Sequence, residues 1–219
     1  MSNRILEGFN ESLPEKVAKY ILEEIFAGNL KQGDRLVESN IATKFKVSHA
    51  PIREALYILE KQGVVERIPR KGVRIRIIDD KEIRDYLEAL AGIIRLSSKV
   101  IKNWSQEKYE QLEEIYRAAE TDLQNGNIRD YVQTVSCFLT IYVSNTNNPV
   151  YQRFTSEILF ITKVFAQLNW NQDLVKNYHA QLTSSLEAIK ERDFELAGER
   201  LSRTIWISIE GHAKSTKRH

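Results

Sequence analysis

The chain has 219 residues, 28% charged and 42% hydrophobic, and its 32 Lys and Arg against 30 Asp and Glu leave a net charge of +2. That apolar share supplies a core for one large domain or two small ones and excludes extensive disorder. The longest apolar runs, such as Ile158-Leu159-Phe160-Ile161, fall far short of the roughly 20 residues of a membrane span, so a soluble protein is expected. Cys137 is the only cysteine, which excludes an internal disulfide and a multi-cysteine zinc site and fits a reducing cytoplasm. Residues 1–8 lack the basic-then-apolar order of a secretory signal.

In chain order, Pro14 suits a first helical turn, and Val17, Ile21 and Ile25 follow at spacings of four, which predicts a helix over 14–27 closed by Gly28. Leu30 and Leu36 flank a turn at Gly33-Asp34. Glu38 to Phe45 reads as a short helix with Ile41 and Ala42 inward, and a three-residue turn follows. Ser48 is a suitable N-cap for the next helix, whose Ile52, Ala55, Leu56 and Leu59 fall at i, i+3, i+4 and i+7 before Gly63. Val64 to Ile68 and Val73 to Ile77 have strand composition around Pro69-Arg70-Lys71-Gly72, a hairpin with a basic tip. Beyond Asp79-Asp80 every long segment has helical period. Six helices are predicted near 81–102, 105–124, 128–144, 149–168, 172–191 and 193–213, with a frayed tail from Lys214 to His219. The expected fold is mainly α: a winged helix-turn-helix over 1–78 and an all-helical bundle over 79–219.

The small net charge conceals an uneven distribution. Residues 1–78 carry 14 basic and 10 acidic side chains, and within them residues 44–76 hold nine Lys and Arg against three Glu. A balance of +6 on so short a stretch is what a polyanion would meet. Helix, helix, short turn, helix and hairpin is the order of a winged helix-turn-helix, whose last helix enters the major groove. Burying Ile52, Ala55, Leu56 and Leu59 leaves His49, Ala50, Arg53 and Tyr57 on the opposite face, where Arg53 can bond guanine. Ser48 and the free N–H groups of that helix start suit a phosphate. Arg70 and Lys71 would reach the minor groove or backbone. The alternative for such residues is a solvated charged face.

Ala27-Gly28-Asn29-Leu30, Gly33-Asp34-Arg35-Leu36, the run Val47-Ser48-His49-Ala50-Pro51-Ile52-Arg53-Glu54-Ala55-Leu56, Leu59, Gly63-Val64-Val65 and Arg70-Lys71-Gly72-Val73 resemble the DNA-binding domain of GntR-family bacterial transcription regulators. The resemblance implies a regulator, most often a repressor, that binds a short palindromic operator in double-stranded DNA as a homodimer. It adds Ser39 and Gly72 to the DNA-contacting positions. His49 and Ala50 stand where the family commonly has Arg and Thr, which implies a shifted operator sequence.

Arg84 with Leu87-Glu88, Phe138, Asn148-Pro149-Val150, Glu187-Ala188-Ile189, Asp193 and Ala197 resemble the helical ligand-binding domain of the FadR-type branch, often called FCD. That resemblance implies a dimerising sensor of a small metabolite, usually an organic acid. Many members hold a divalent metal through one Asp and three His. The corresponding positions here are Val135, Leu139, Leu182 and Thr204, so no metal and no other cofactor is expected. His179 lies three residues out of register and is expected on the surface near a helix start. An apolar pocket with side-chain donors would then take the effector, an organic acid or a more apolar metabolite. Arg95 either turns inward to clamp an anion or lies on the helix surface against Glu88 or a neighbouring helix. Tyr131, Thr134, Tyr142, Tyr178, Ser185 and Trp206 are candidate lining residues, although aromatics at helical spacing also fill ordinary cores.

Two other readings remain open. An enzyme is disfavoured, since Cys137 has no His within its segment, no Gly-x-Ser-x-Gly elbow or phosphate-binding Gly-rich loop occurs, and His49, His179, His212 and His219 form no evident cluster. A C-terminal domain that only dimerises, or answers to a protein partner, is the third.

Overall fold

The computed structural model describes residues 12–102 and 104–216, with side chains described throughout that range except at 168, 169 and 209–216. The chain divides into two units, residues 1–77 and 78–219.

In the first unit α1 (Leu13–Phe26) starts on a capping box: Ser12 Oγ accepts from Glu15 N–H, and the Glu15 carboxylate accepts from Ser12 N–H at 2.8 Å. Such a reciprocal pair satisfies two otherwise orphaned donors. Val17, Ile21 and Ile25 are buried as their spacing demands, and Gly28 ends the helix at a φ of +76°. Helices α2 (Glu38–Phe45) and α3 (His49–Lys61) follow, and α3 packs on α1 and α2 through Ile52, Ala55, Leu56 and Leu59, all fully buried. Ala42 is buried while Ile41 stays partly exposed.

Strands β2 (Val65–Ile68) and β3 (Gly72–Ile75) form the hairpin, and β1 (Arg35–Leu36) pairs antiparallel with β3, giving the order β1-β3-β2. The first strand, which directly follows the turn expected at Gly33-Asp34, is two residues long. It has no period to detect, and its pairing partner lies 37 or more residues further along.

The second unit contains α4 (Asp80–Val100), α5 (Gln106–Gln124), α6 (Ile128–Ser144), α7 (Pro149–Asn169), α8 (Gln172–Lys190) and α9 (Phe194–Thr216). Side chains set the boundaries. Asp79, Ser105, Asn127, Asn148 and Asn171 each accept a first-turn N–H at the start of α4 to α8, a contribution of about 1 kcal/mol per cap. Asp193 does the same for Leu196 N–H in α9. That last helix continues through Lys214, Ser215 and Thr216, which the expected fraying had excluded; none of the three is a helix breaker. Residues 1–11, which hold the segment tested for a secretory signal, and 217–219 lie outside the described residues. Among those described, no helix is long and apolar enough to cross a membrane.

Helix α9 packs against both α4 and α8, and α6 against both α5 and α7, around a core that includes Leu90, Ile94, Phe138, Tyr142, Leu182 and Leu201. The approach of α4 to α9 depends on Gly198. A Cβ there would lie 2.4 Å from Ser98 Cβ, closer than van der Waals contact permits. Gly198→Ala is therefore expected to destabilise the helical unit by about 1–3 kcal/mol despite the better helix propensity of alanine. Urea denaturation measures this, and adding Ser98→Gly should restore most of the loss.

Candidate nucleic-acid interface and effector cavity

The outward face of α3 follows from its inward one. With Ile52, Ala55, Leu56 and Leu59 committed to the core, His49, Ala50, Arg53 and Tyr57 are exposed together on α3. Ser48 occupies the N-cap position with extended backbone, but its side chain makes no capping bond, a departure from the expected cap. Pro51 also removes one of the four orphan donors, leaving the N–H groups of Ser48, His49 and Ala50 for an oxyanion. No acidic residue occupies the first turn of α3, so its positive dipole end is not neutralised there.

Arg53 is not a free cation. Its Nε lies 2.9 Å from Glu38 Oε2 at the start of α2, and His49 Nδ1 lies 3.8 Å from the same oxygen. Lys44 is engaged as well, through the Tyr20 hydroxyl, with its ammonium over the Tyr20 ring. Lys61 Nζ lies over the Tyr57 ring at 5.3 Å. Ser39 is exposed on α2, where its carbonyl accepts from the Thr43 hydroxyl.

The hairpin tip exposes both Arg70 and Lys71, and neither forms an ion pair with a described carboxylate. Lys71 N–H closes the turn onto Ile68 C=O, Pro69 takes the position it favours, and Arg70 has a φ of +62°. That turn position ordinarily takes glycine or asparagine, and a left-handed arginine costs about 1–2 kcal/mol. Gly72, at a φ of +86°, has open space for close approach except toward the Arg35 guanidinium, 3.6 Å from a Cβ placed there. Arg35 thus joins the basic surface through β1, and Arg74 through β3, opposite it in the sheet and paired with Glu66 at 2.8 Å. Sequence periodicity could not find Arg35, because only strand pairing brings it beside the tip.

The family model described as "Bacterial regulatory proteins, gntR family" matches residues 13–75. Residues 13–75 are a GntR-family domain. Among curated relatives, the chain is 32% identical over 103 residues to the uncharacterised HTH-type transcriptional regulator YdhC of Bacillus subtilis, covering 47% of this chain and 46% of that one. It is 37% identical over 73 residues to the gluconate operon transcriptional repressor of Bacillus licheniformis, covering 33% and 30%. The chain spans about half the length, or less, of these relatives. Over nearly the whole chain the likeness is one of fold. Escherichia coli McbR/YncC shares 17% identity over 94% of this chain and 99% of its own, with a TM-score of 0.76. A Rhodococcus sp. RHA1 protein assigned as a GntR transcriptional regulator shares 16% over 93% and 99%, at 0.81.

In the helical unit, an apolar cavity of about 30 Å³ lies among α4, α6, α7, α8 and α9, room for little more than a water molecule or two. Leu87, Leu90, Val132, Val135, Leu139, Phe165, Trp170 and Ile205 supply most of its wall, with Ser136, Thr162, Lys163, Tyr178 and Ser208 as the polar members. Of the candidate lining residues only Tyr178 borders it. Burial pushes the Tyr178 phenol up to about 12, with the Thr204 hydroxyl acting in the other direction. Tyr131 and Tyr142 are fully buried packing residues; Tyr142 donates to Phe194 C=O and packs on Trp104. Thr134 donates to Asp122 Oδ2 at 2.8 Å, and Ser185 donates to Gln181 C=O within its own helix. Arg95 and Trp206 lie elsewhere, on an exposed groove of about 410 Å³ between α4 and α9 that Lys99, Glu195, Glu199 and Arg203 also line. Arg95 therefore does not turn inward. Its neighbours on α4, Ile94 and Ser97, take the buried positions.

Lys163 is a charged lining residue that periodicity missed, although it is the one charge in the apolar run Ile158 to Ala166. Its ammonium donates to Gln133 Oε1 at 2.9 Å, and burial lowers its pKa. Nearby, burial pushes the Cys137 thiol up, away from the thiolate a nucleophile needs.

The residues present do not fit a metal. Val135, Leu139, Leu182 and Thr204 are buried, but three are hydrocarbon and the Thr204 hydroxyl donates to Leu201 C=O. Among the described residues no group of His, Cys, Asp and Glu has metal-binding geometry.

His179 is not at the surface. It is 8% exposed in the middle of α8, stacked on Tyr116 at 5.1 Å, with the Tyr131 hydroxyl 3.3 Å from Nδ1 and Nε2 without a partner. The helix face shared with Val175, Leu182 and Leu186 carries it inward. Desolvation lowers its pKa against a smaller opposing pull from Glu120. The unfolded chain then binds a proton more readily than the folded one, so acidification through the ordinary imidazole range near 6.5 favours unfolding. Urea midpoints at pH 7.5 and 5.5 are expected to fall further for the wild-type protein than for His179→Phe.

Proposed function

We propose that the chain is a sequence-specific DNA-binding transcription regulator acting as a repressor in the cytoplasm. The observation that carries this reading is the exposed His49, Ala50, Arg53 and Tyr57 face of α3, in the same GntR-family domain as a hairpin tip bearing Arg70 and Lys71. A groove-inserted helix with an arginine on its outer face reads base edges, and a basic tip holds phosphates or the minor groove. Curated relatives named as repressors of gluconate and D-xylose operons support the sign of regulation. A homodimer presents two such helices to the halves of a short palindrome.

The helical unit, of the FadR-type (FCD) kind, serves as the dimerisation and sensing module and works without a metal. Its effector is an organic acid or a more apolar metabolite that opens the cavity beside Lys163, whose ammonium supplies the cation a carboxylate needs. The small size of that cavity favours a second reading, a dimerisation or protein-partner module with no small-molecule effector.

Gel-shift titration against duplexes selected from a randomised pool tests DNA binding, and recovery of a palindrome tests the homodimer. Thermal unfolding across a panel of carboxylic acids, sugars and acyl compounds separates the two readings of the helical unit. A true ligand at a hundred times its Kd stabilises by about 2.7 kcal/mol, whereas the second reading leaves the midpoint unmoved by every compound.

A further inference from the structure

We propose that Glu38 is a positioning residue for base readout, holding the Arg53 guanidinium by its Nε so that the two Nη groups face a guanine; this rests on the DNA-binding reading above. The contact joins the two helices on either side of the turn, α2 and α3, at 2.9 Å. Its two partners are unequally fixed. The Glu38 side chain is 25% exposed and that of Arg53 68%, so the carboxylate is the anchor and the arginine the arm.

The chemistry of the fork gives the pairing its use. A guanidinium has five N–H groups in one plane, and guanine O6 and N7 take two of them. A carboxylate on Nε leaves both Nη groups available and removes rotamers from one of the side chains with most conformational freedom. A carboxylate here is otherwise the wrong sign, because it opposes the sequence-independent attraction of phosphates to this basic unit. It trades that general attraction for discrimination at one base pair. The pairs Arg67 with Glu60 at 3.7 Å and Arg74 with Glu66 at 2.8 Å hold arginines of the hairpin strands, and neither restrains an arginine of α3.

The test uses the full chain and a duplex selected from a randomised pool by the wild-type protein, with single base-pair replacements of that duplex and an unrelated duplex as controls. The Arg53 base pair is the position whose replacement costs the wild type affinity and costs R53A none. Glu38→Ala is expected to lower affinity for the selected duplex about tenfold, to leave the unrelated duplex bound as well or better, and to shrink the penalty at the Arg53 base pair. E38A/R53A should bind no more weakly than R53A. E38Q, isosteric and uncharged, should shift every quantity the same way by less, which guards against a folding loss in the alanine variant. A loss equal on all duplexes, tighter binding with the base-pair penalty intact, or additive losses in the double variant overturns the assignment. A wild-type chain that selects no duplex overturns the DNA-binding reading and this assignment with it.

Discussion

Arg53→Ala is expected to weaken binding to a selected duplex by about 1–3 kcal/mol and to erase the preference at one base pair, while an unrelated duplex is bound almost as before. The magnitude follows from what the side chain offers. A bidentate contact to guanine supplies discrimination, whereas one phosphate contact supplies only a share of a salt-dependent general attraction. Arg53 is the arginine on the outer face of α3, and its 68% exposed side chain makes no packing contribution whose loss would mimic the effect. Lys71→Ala at the hairpin tip gives the contrast: a uniform loss on every duplex and a salt slope shallower by about one. Gel shifts at several salt concentrations separate the two patterns, and a uniform loss for Arg53→Ala would remove it from the base-reading role.

Phe138→Ala is expected to cost about 3–5 kcal/mol of stability in the helical unit. Phe138 is fully buried in the core packed around α6, and truncation leaves a hole its neighbours cannot fill without moving. Phe154, on the neighbouring helix α7, is 43% exposed. Its replacement by alanine should change stability by no more than about 0.5 kcal/mol. Urea denaturation followed by far-UV circular dichroism measures both, and equal effects would mean that this core has been misplaced.

The two phenylalanines illustrate how far one-dimensional patterns reach. Period 3.6 placed the inward faces of α1 and α3 because each helix has one partner side and one wet side, and capping residues marked the helix ends because the first orphan N–H groups take whatever acceptor is adjacent in sequence. In the bundle, helices are contacted on more than one side, so apolar periodicity no longer distinguishes a core residue from a cavity wall. Tyr131, Tyr142 and Tyr178 look equivalent in sequence, yet only Tyr178 borders the cavity. Arg95 lies one residue past the buried Ile94, and a rotation of about 100° per residue is enough to turn it to the surface groove. The burial of His179 escapes the sequence pattern for the same reason, since it depends on Tyr116 and Tyr131 from α5 and α6.

Composition and local pattern by themselves determined the basic character of residues 44–76, the outward face of α3, the hairpin, and the number and approximate ends of the helices. All of these follow from forces acting within a few residues: side-chain periodicity, capping and turn preference. Contacts between residues distant in sequence decided the rest. Fifteen positions separate Glu38 from Arg53, 39 separate Arg35 from Arg74, and 30 separate Gln133 from Lys163. What the small net charge of +2 concealed was thus resolved in two steps. Sequence located the cations, and only the tertiary structure showed which of them a carboxylate already holds, because pairing is a matter of distance in space and not of order along the chain.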